Sequence, residues 1–414
     1  MECRKGKSLV KGLEKISIVY VTDEKYVMPT CVSMLSVKDN LAKGCMAEAY
    51  VICDKVRECL SNSFLKLQDE NFRLHIINVE NKAYANLAKL CGSYGVNYVT
   101  ASALFKFNIC EILQEEDKVI YLDSDTLVLG NLAELYDIDL EEHYVAAVDD
   151  QLDKITDGQS SMAAKADICS GHYFNSGVML FNLKKMREDK ICTKLIDYRK
   201  HGKNYFMDQD TFNAVLKNNR KMLPYKYNFM TTCIDHYDVC EISERFFDGH
   251  QSCIDECIQC VSIIHLTGKY KPWEYNIPWF SALFLKYYNK SPFSKEKIQL
   301  KSMTKVLQNA IDVGSKYIFP YEKIEKNEKI ILYGAGRIGK MYYRQIMATG
   351  YCEIVGWVDS DYKNKNSLVQ SPDLIKSTRF SKILIGIGAQ HIAEEVEEFL
   401  VNKYQIDTKS IIIV

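Results

Sequence analysis

Two aspartates one residue apart, Asp123 and Asp125, stand where an apolar run gives out in DKVIYLDSDTLVLG, residues 117–130. Val119, Ile120, Tyr121 and Leu122 precede them, and Leu127, Val128 and Leu129 follow. Such a run reads as a buried strand of an α/β sheet, and ligands of those sheets gather at the carboxyl ends of strands. Two acids placed there are costly to desolvate, and each raises the other's pKa unless a cation lies between them. A hard divalent metal that also binds phosphate oxygens is the natural occupant. The plain alternative is a strand followed by an acidic turn, because Asp-Ser-Asp is good turn composition.

The elements that must position this pair follow from the pattern. A β-branched, aromatic strand is expected over 16–21 (ISIVYV), ending in Thr22-Asp23-Glu24-Lys25-Tyr26, with helical spacing over 28–37. Strands at 48–53 and 72–79 flank a helix near 60–67, and helical spacing over 101–113 delivers the chain to the acidic strand. Strands follow at 144–148, ending in Asp149 and Asp150, and at 174–182 (FNSGVMLFN), the latter with helical spacing over 183–198 behind it. A short strand at 261–265 (VSIIH) stops at His265. Strands alternating with helices predict an α/β fold with a mainly parallel, doubly wound sheet.

Beyond Pro278 the texture changes. Trp279, Phe280, Leu283, Phe284 and Tyr287 form a helical stripe followed by a Lys/Ser-rich stretch through Lys305. Such a stripe is core contact or, beside many lysines, a peripheral contact with the cytoplasmic membrane face. The charged run 322–329 (EKIEKNEK) reads as linker, after which a second α/β unit has strands at 330–333, 354–358, 383–387 and 410–414. The expected organisation is a domain over 1–290, a helical and charged linker over 291–326, and a small domain over 327–414. At 414 residues the chain is comfortable for two domains.

A net charge of −1 supplies no global field towards nucleic acid, so no nucleic-acid partner is expected. The basic N-terminus (Arg4, Lys5, Lys7, Lys11, Lys15) lacks the apolar core of a signal peptide. No apolar stretch approaches the ~20 residues that cross a bilayer. The 15 cysteines are scattered, often within apolar segments (Cys31, Cys110, Cys192), and read as reduced thiols of a cytoplasmic protein. Cys253, Cys257 and Cys260, with His250 just before them, are loosely spaced for zinc.

The blocks VYVTDEKY, DKVIYLDSDTLVLGNLAELYDIDL, YFNSGVMLFNL, FMDQDTFNAV and HLTGKYKPW occur in that order. Together they resemble glycosyltransferase family eight, the group of glycogenin and bacterial lipopolysaccharide galactosyl- and glucosyltransferases. The resemblance covers residues 1–290; Asp-x-Asp alone is shared by unrelated nucleotide-sugar enzymes. It implies a GT-A-type sheet and a retaining transfer of hexose from UDP-glucose or UDP-galactose to a saccharide or lipid-linked saccharide. It also implies a metal on Asp123, Asp125 and His265. One imidazole among oxygen ligands shifts preference from Mg²⁺ towards Mn²⁺.

Thr22, Asp23, Tyr26, Ser124, Gly268 and Lys271 match the family's nucleotide and diphosphate contacts. A carboxylate can accept the uracil N–H and a tyrosine can stack on the base; otherwise Asp23 is a helix cap. Gly268 allows close backbone approach, and Lys271 is a point charge suited to phosphate. Lys106, Asp149, Asn175, Asp208 and Gln209 match the donor-sugar pocket. A covalent intermediate would need a nucleophilic carboxylate. The residue matching the position nearest the anomeric carbon is Gln209, whose amide is a poor nucleophile. Front-side displacement is therefore expected, with Gln209 steadying the developing cation and Asp208 as fallback nucleophile. Lys106 stands where bacterial galactosyltransferases have arginine; lysine makes no planar two-point contact, so their donor choice does not carry over.

Gly334-Ala335-Gly336-Arg337-Ile338-Gly339 follows a strand and opens a helix, and Asp359 ends the next strand about twenty residues on, as in a dinucleotide fingerprint. The region 327–414 resembles Rossmann-like modules appended to bacterial sugar transferases. It supports a rival reading, an NAD-dependent sugar-nucleotide oxidoreductase or epimerase, but no Tyr-x-x-x-Lys pair follows the turn. A third reading is a non-catalytic nucleotide-sugar scaffold, against which the intact metal set argues. Self-glucosylation is open to a chain with 27 tyrosines, though none is singled out.

Overall fold

The computed structural model describes residues 13–54, 56–80, 101–151, 173–201, 207–216, 219–235, 239–277, 279–302, 319–365 and 368–413. The chain divides into two compact units, 1–233 with 253–300, and 234–252 with 301–414. The segment 234–252, expected in the first domain, thus groups with the second unit. Within that unit Lys340 Nζ pairs with Glu241 Oε1 at 2.6 Å, and Arg344 donates to the Ile234 carbonyl.

The first unit is built on a seven-stranded sheet in the order β3-β2-β1-β4-β7-β6-β8. Its strands are β1 (Glu14–Thr22), β2 (Cys45–Cys53), β3 (Phe72–Asn78), β4 (Lys118–Leu122), β6 (Val145–Asp149), β7 (Phe174–Asn182) and β8 (Arg220–Met222). Only β7 runs against the others. β4 and β6 are buried almost throughout, which is why they read as continuous apolar runs rather than alternating ones. On one face Val19, Val119, Tyr121 and Phe181 pack against Phe105, Phe107, Leu195 and Phe212.

A second, three-stranded sheet sets β10 (Ile263–His265) between β5 (Thr126–Val128) and β9 (Phe229–Met230). These strands are too short to show a period, and β5, β8 and β9 escape a pattern search. The helix expected over 101–113 is a 3₁₀ turn (Ala101–Asn108) and one α-turn (Ile109–Ile112). The helix expected over 183–198 is two, Leu183–Glu188 and Ile191–His201, parted at Lys190 with φ +54°. Helix α1 (Val27–Asp39) and the helix Phe280–Tyr288 complete the site-bearing part of the unit.

The aromatic stripe is core contact: Phe280, Phe284 and Tyr287 are buried, leaving Trp279 exposed. No described helix is long and apolar enough to cross a membrane. One expectation is corrected. Cys110 and Cys192 are joined by a disulfide, because the segments carrying them bury both side chains in the same core.

In the second unit β11 (Lys329–Tyr333), β12 (Glu353–Val358), β13 (Lys382–Ile385) and β14 (Ile411–Ile413) form an all-parallel sheet in the order β12-β11-β13-β14. Alternate residues of β11 serve opposite faces, as pleating requires. Ile330 and Leu332 meet Ile338, Tyr342 and Ile346 of the helix Arg337–Thr349. Ile331 and Tyr333 meet Ala393 and Leu400 of the helix Gln390–Tyr404.

Candidate active site

β4 ends at Leu122, and the turn to β5 carries Asp123 and Asp125. β10 pairs antiparallel with β5, setting His265 opposite Thr126, while Leu266 N bonds to Asp125 O at 2.8 Å. That register brings a histidine from far along the chain to the two acids. Nε2 of His265 lies 3.3 Å from Asp125 Oδ1 and 3.6 Å from Asp123 Oδ2. One ligand atom from each residue falls within 4.8 Å of the others. Two carboxylates and an imidazole at that separation fit one divalent ion with positions left for phosphate oxygens. The cradle also needs Gly177 on β7: a β-carbon there would lie 2.1 Å from His265 Cε1 and 2.8 Å from Asp123 Oδ2. Among the described residues the Cys253, Cys257 and Cys260 sulfurs form no such group.

Two lysines border the acids. Lys271 Nζ lies 2.7 Å from Asp125 Oδ2 and also bonds Leu266 O at 2.6 Å. Burial pushes the Asp125 carboxyl up, but Lys271 and His265 outweigh it and hold the group well below the usual carboxylate range. Lys106, 5% exposed, reaches Asp208 Oδ2 at 2.7 Å and Asp123 Oδ1 at 3.1 Å. Burial pulls its ammonium down, and Asp123 and Asp208 more than reverse that. The buried Tyr121 hydroxyl donates to Asp123 Oδ1 at 2.5 Å.

Asp208 and Gln209 begin the helix Met207–Leu216. Asp208 Oδ2 also accepts from Ser176 Oγ at 2.9 Å. Gln209 Oε1 accepts from Ser176 N at 3.2 Å and Asn175 Nδ2 at 3.1 Å, and its Nε2 donates to Asp150 Oδ2 at 2.9 Å. Asp150, not Asp149, therefore joins the polar cluster. Asp149 is placed elsewhere, its Oδ1 2.6 Å from Arg220 Nη2 and both side chains buried. Of two adjacent acids at a strand end only one can face the cluster, and sequence alone does not say which.

In the turn after β1 Asp23 is a helix cap: Oδ1 accepts from Lys25 N at 2.9 Å and Tyr26 N at 3.1 Å. The hydroxyls of Thr22 and Ser124 face inward, each 2.9 Å from Thr30 Oγ1. They brace the floor beneath the acids. Tyr26 is 36% exposed beside Trp273 at 6.1 Å, and its hydroxyl is pushed up to about 12 by burial and then by Asp125, Asp23 and Asp123. Gly268 has φ +89°, and a β-carbon there would meet Thr232 Cγ2 at 2.8 Å. Asn228, Asp150, Tyr121 and Gly177 are site residues that sequence reading missed. For Asp150, Tyr121 and Gly177 the cue was a place within a motif block or beside an acid; Asn228 had none.

In the second unit Gly334, Gly336, Ile338, Asp359, Lys365 and Gly388 line a crevice of about 370 Å³. Gly334 has φ +101°, and a β-carbon on Gly339 would lie 1.9 Å from Gly334 O. Asp359 Oδ2 accepts from Ala335 N at 2.6 Å and Oδ1 from Asp361 N at 2.8 Å.

Comparison with known proteins agrees with the first unit. A putative glycosyltransferase of Haemophilus influenzae is 26% identical over 53% of this chain, which spans 64% of that protein's length. A lipopolysaccharide 1,2-glucosyltransferase of Escherichia coli K12 is 26% identical over 66% of this chain and 77% of its own. The crystal structure of galactosyltransferase LgtC in complex with donor and acceptor sugar analogues superposes with a TM-score of 0.54 at 22% identity, covering 67% of this chain and 96% of that one. The shared architecture is the GT-A fold. The sequence model described as Glycosyl transferase family 8 matches residues 17–277, so the chain belongs to that family and is a glycosyltransferase.

Proposed function

We propose that the protein moves a hexose, from UDP-glucose or UDP-galactose, to a saccharide or glycolipid acceptor with retention of anomeric configuration. The observation that carries this is the convergence of Asp123, Asp125 and His265 at the end of β4, with Lys271 alongside. Mn²⁺, or Mg²⁺, held by those three side chains would neutralise the departing diphosphate as a Lewis acid. Lys271 supplies a further positive charge to the same phosphates, and Gly268 lets the backbone come close to them. Tyr26 stands over the turn as a platform for the base, and Asp23 retains Oδ2 for its imide.

The sugar would lie towards Lys106, Asn175, Asp208 and Gln209, with Asp150 taking the role expected of Asp149. Front-side displacement is supported by how the two candidate nucleophiles are engaged. Asp208 is tied to Lys106 and Ser176, which lowers its nucleophilicity, and Gln209 is an amide held on both sides. A relative named for glucosyl transfer to lipopolysaccharide, and a neighbour crystallised with donor and acceptor sugar analogues, support a sugar donor and a saccharide acceptor. The glycine turn of the second unit (Gly334, Gly336, Gly339, Asp359) is a further nucleotide site in this proposal, supported by its crevice.

The test is release of UDP from UDP-glucose and UDP-galactose with Mn²⁺, without acceptor. Slow release is expected from the native chain and background from Asp125→Ala. Equal release by the variant would overturn the metal assignment.

A further inference from the structure

Asn228 is wholly buried and makes two side-chain hydrogen bonds that together decide the state of His265. His265 Nδ1 lies 3.1 Å from Asn228 Oδ1, and Asn228 Nδ2 lies 2.9 Å from Asn175 Oδ1. An amide can be turned end for end, so each contact alone leaves donor and acceptor undetermined. A backbone group removes the ambiguity. Gly177 N, which can only donate, lies 2.9 Å from Asn175 Oδ1, so that atom is an acceptor. Asn228 must then present its NH₂ to Asn175 and its oxygen to His265. An oxygen facing Nδ1 requires the hydrogen to be on Nδ1. In the neutral ring the lone pair is thereby on Nε2, and Nε2 is the atom that faces Asp123 and Asp125.

The same anchor fixes the other branch. Asn175 Nδ2 donates to Gln209 Oε1, Ser176 N donates to the same oxygen, and Gln209 Nε2 is turned to Asp150. Two backbone N–H groups on β7 thus set the polarity of three side-chain amides that run from the imidazole to the sugar-side glutamine.

We infer that Asn228 is the positioning residue of the metal site: it holds His265 as the Nδ1–H tautomer, so that Nε2 is ready to ligate a divalent cation. This rests on the metal reading above, and it adds a residue that touches neither metal nor substrate. Partners of this kind orient a ligating imidazole and raise its basicity, and their loss costs about 10–100-fold in metal affinity.

Two measurements on the full chain test it. The first needs no metal. Nitrogen-15 NMR of the metal-free protein, with the His265 signal assigned through His265→Gln, is expected to show the hydrogen on Nδ1. A hydrogen on Nε2 with Nδ1 bare overturns the inference. The second is Mn²⁺ affinity, read from the electron paramagnetic resonance of free Mn²⁺. Asn228→Ala is expected to weaken binding about 30-fold, and Asn228→Asp, which keeps an oxygen facing Nδ1, to return it within about 3-fold of the native value. Equal loss in both variants, or none in alanine, overturns the inference. If native protein takes up no Mn²⁺, the metal reading itself fails, while the tautomer measurement still decides the role of Asn228.

Discussion

β4 is bracketed by carboxylates, and its two ends have opposite characters. Ahead of the strand, Glu116 accepts from Lys15 Nζ at 2.6 Å, Tyr50 OH at 2.7 Å and Ser17 Oγ at 2.7 Å. Three donors from the chain converge on one acid, which is held below the ordinary range although burial pushes it up. Past the strand the balance reverses. Among the described residues Asp123, Asp125 and Asp208 face two lysines, Lys106 and Lys271, with His265 Nε2 beside the first two acids. The first end is closed and serves folding. The second is where the proposed divalent cation and diphosphate would bind. A sheet can bury acids at either end of a strand, and its ligands gather at the carboxyl end.

The largest effect that sharpens this contrast is at Asp125. Alanine there is expected to lower UDP release roughly 10³-fold in a chain that still folds and unfolds cooperatively.

Glu116→Gln should do the reverse, costing about 2 kcal/mol of stability with kcat within about 3-fold of native. Its pH dependence has a definite sign. A carboxyl with a depressed folded-state pKa stabilises the protein above its unfolded value of about 4.3, and that contribution is lost as pH falls through the folded value. The glutamine variant should therefore lose less stability than the native chain between pH 5 and acid, as followed by circular dichroism. A variant that loses activity but not stability would place Glu116 in the chemistry and dissolve the comparison.

How much of this could be read from the chain depends on whether a feature is local. β7 was legible to the residue because nine successive side chains alternate between two buried layers. Asp123 and Asp125 were legible as a pair because the apolar run stops at Asp-Ser-Asp and the other motif blocks occur in order with it. His265 was found by motif order, but its approach to Asp125 depends on the pairing of three-residue strands that carry no period. That Asp150 rather than Asp149 meets Gln209 was not legible, because register, which decides which acid turns inward, is set by partners elsewhere in the sheet. Asn228 carried no signal, since its role exists only through Asn175 and Gly177. The Cys110–Cys192 bond was missed for the same reason.

A smaller effect is expected at Lys106. Arginine in its place would have to fit a side chain that is 5% exposed and already in contact with two acids. Overpacking of that kind costs about 1–3 kcal/mol, and the planar head would redistribute contacts between Asp208 and Asp123. The ratio of kcat/KM for UDP-glucose over UDP-galactose is expected to change several-fold, about 1 kcal/mol. An unchanged ratio would remove Lys106 from donor choice and leave it as a brace for the acids.

The smallest effect belongs to the acid at the end of β12. Asp359, unlike Asp125, spends both oxygens on backbone N–H groups, one in the glycine turn and one in its own turn, so it resembles Glu116 more than Asp123 and Asp125. The glycines around it divide in the same way. Gly339 is a packing glycine, since a β-carbon would sit 1.9 Å from Gly334 O, and Gly339→Ala should destabilise the second unit strongly. At Gly336 nothing lies within 4 Å of a β-carbon and φ is −76°, so Gly336→Ala should melt as the native chain does. Gly336 is therefore the position at which a ligand can be separated from architecture. With a diphosphate against this turn, a methyl group there would stand in its way. Calorimetry of the full chain with NAD⁺ is expected to show heat that Gly336→Ala diminishes. Identical traces from both proteins would leave the whole turn, Asp359 included, on the closed side of the comparison.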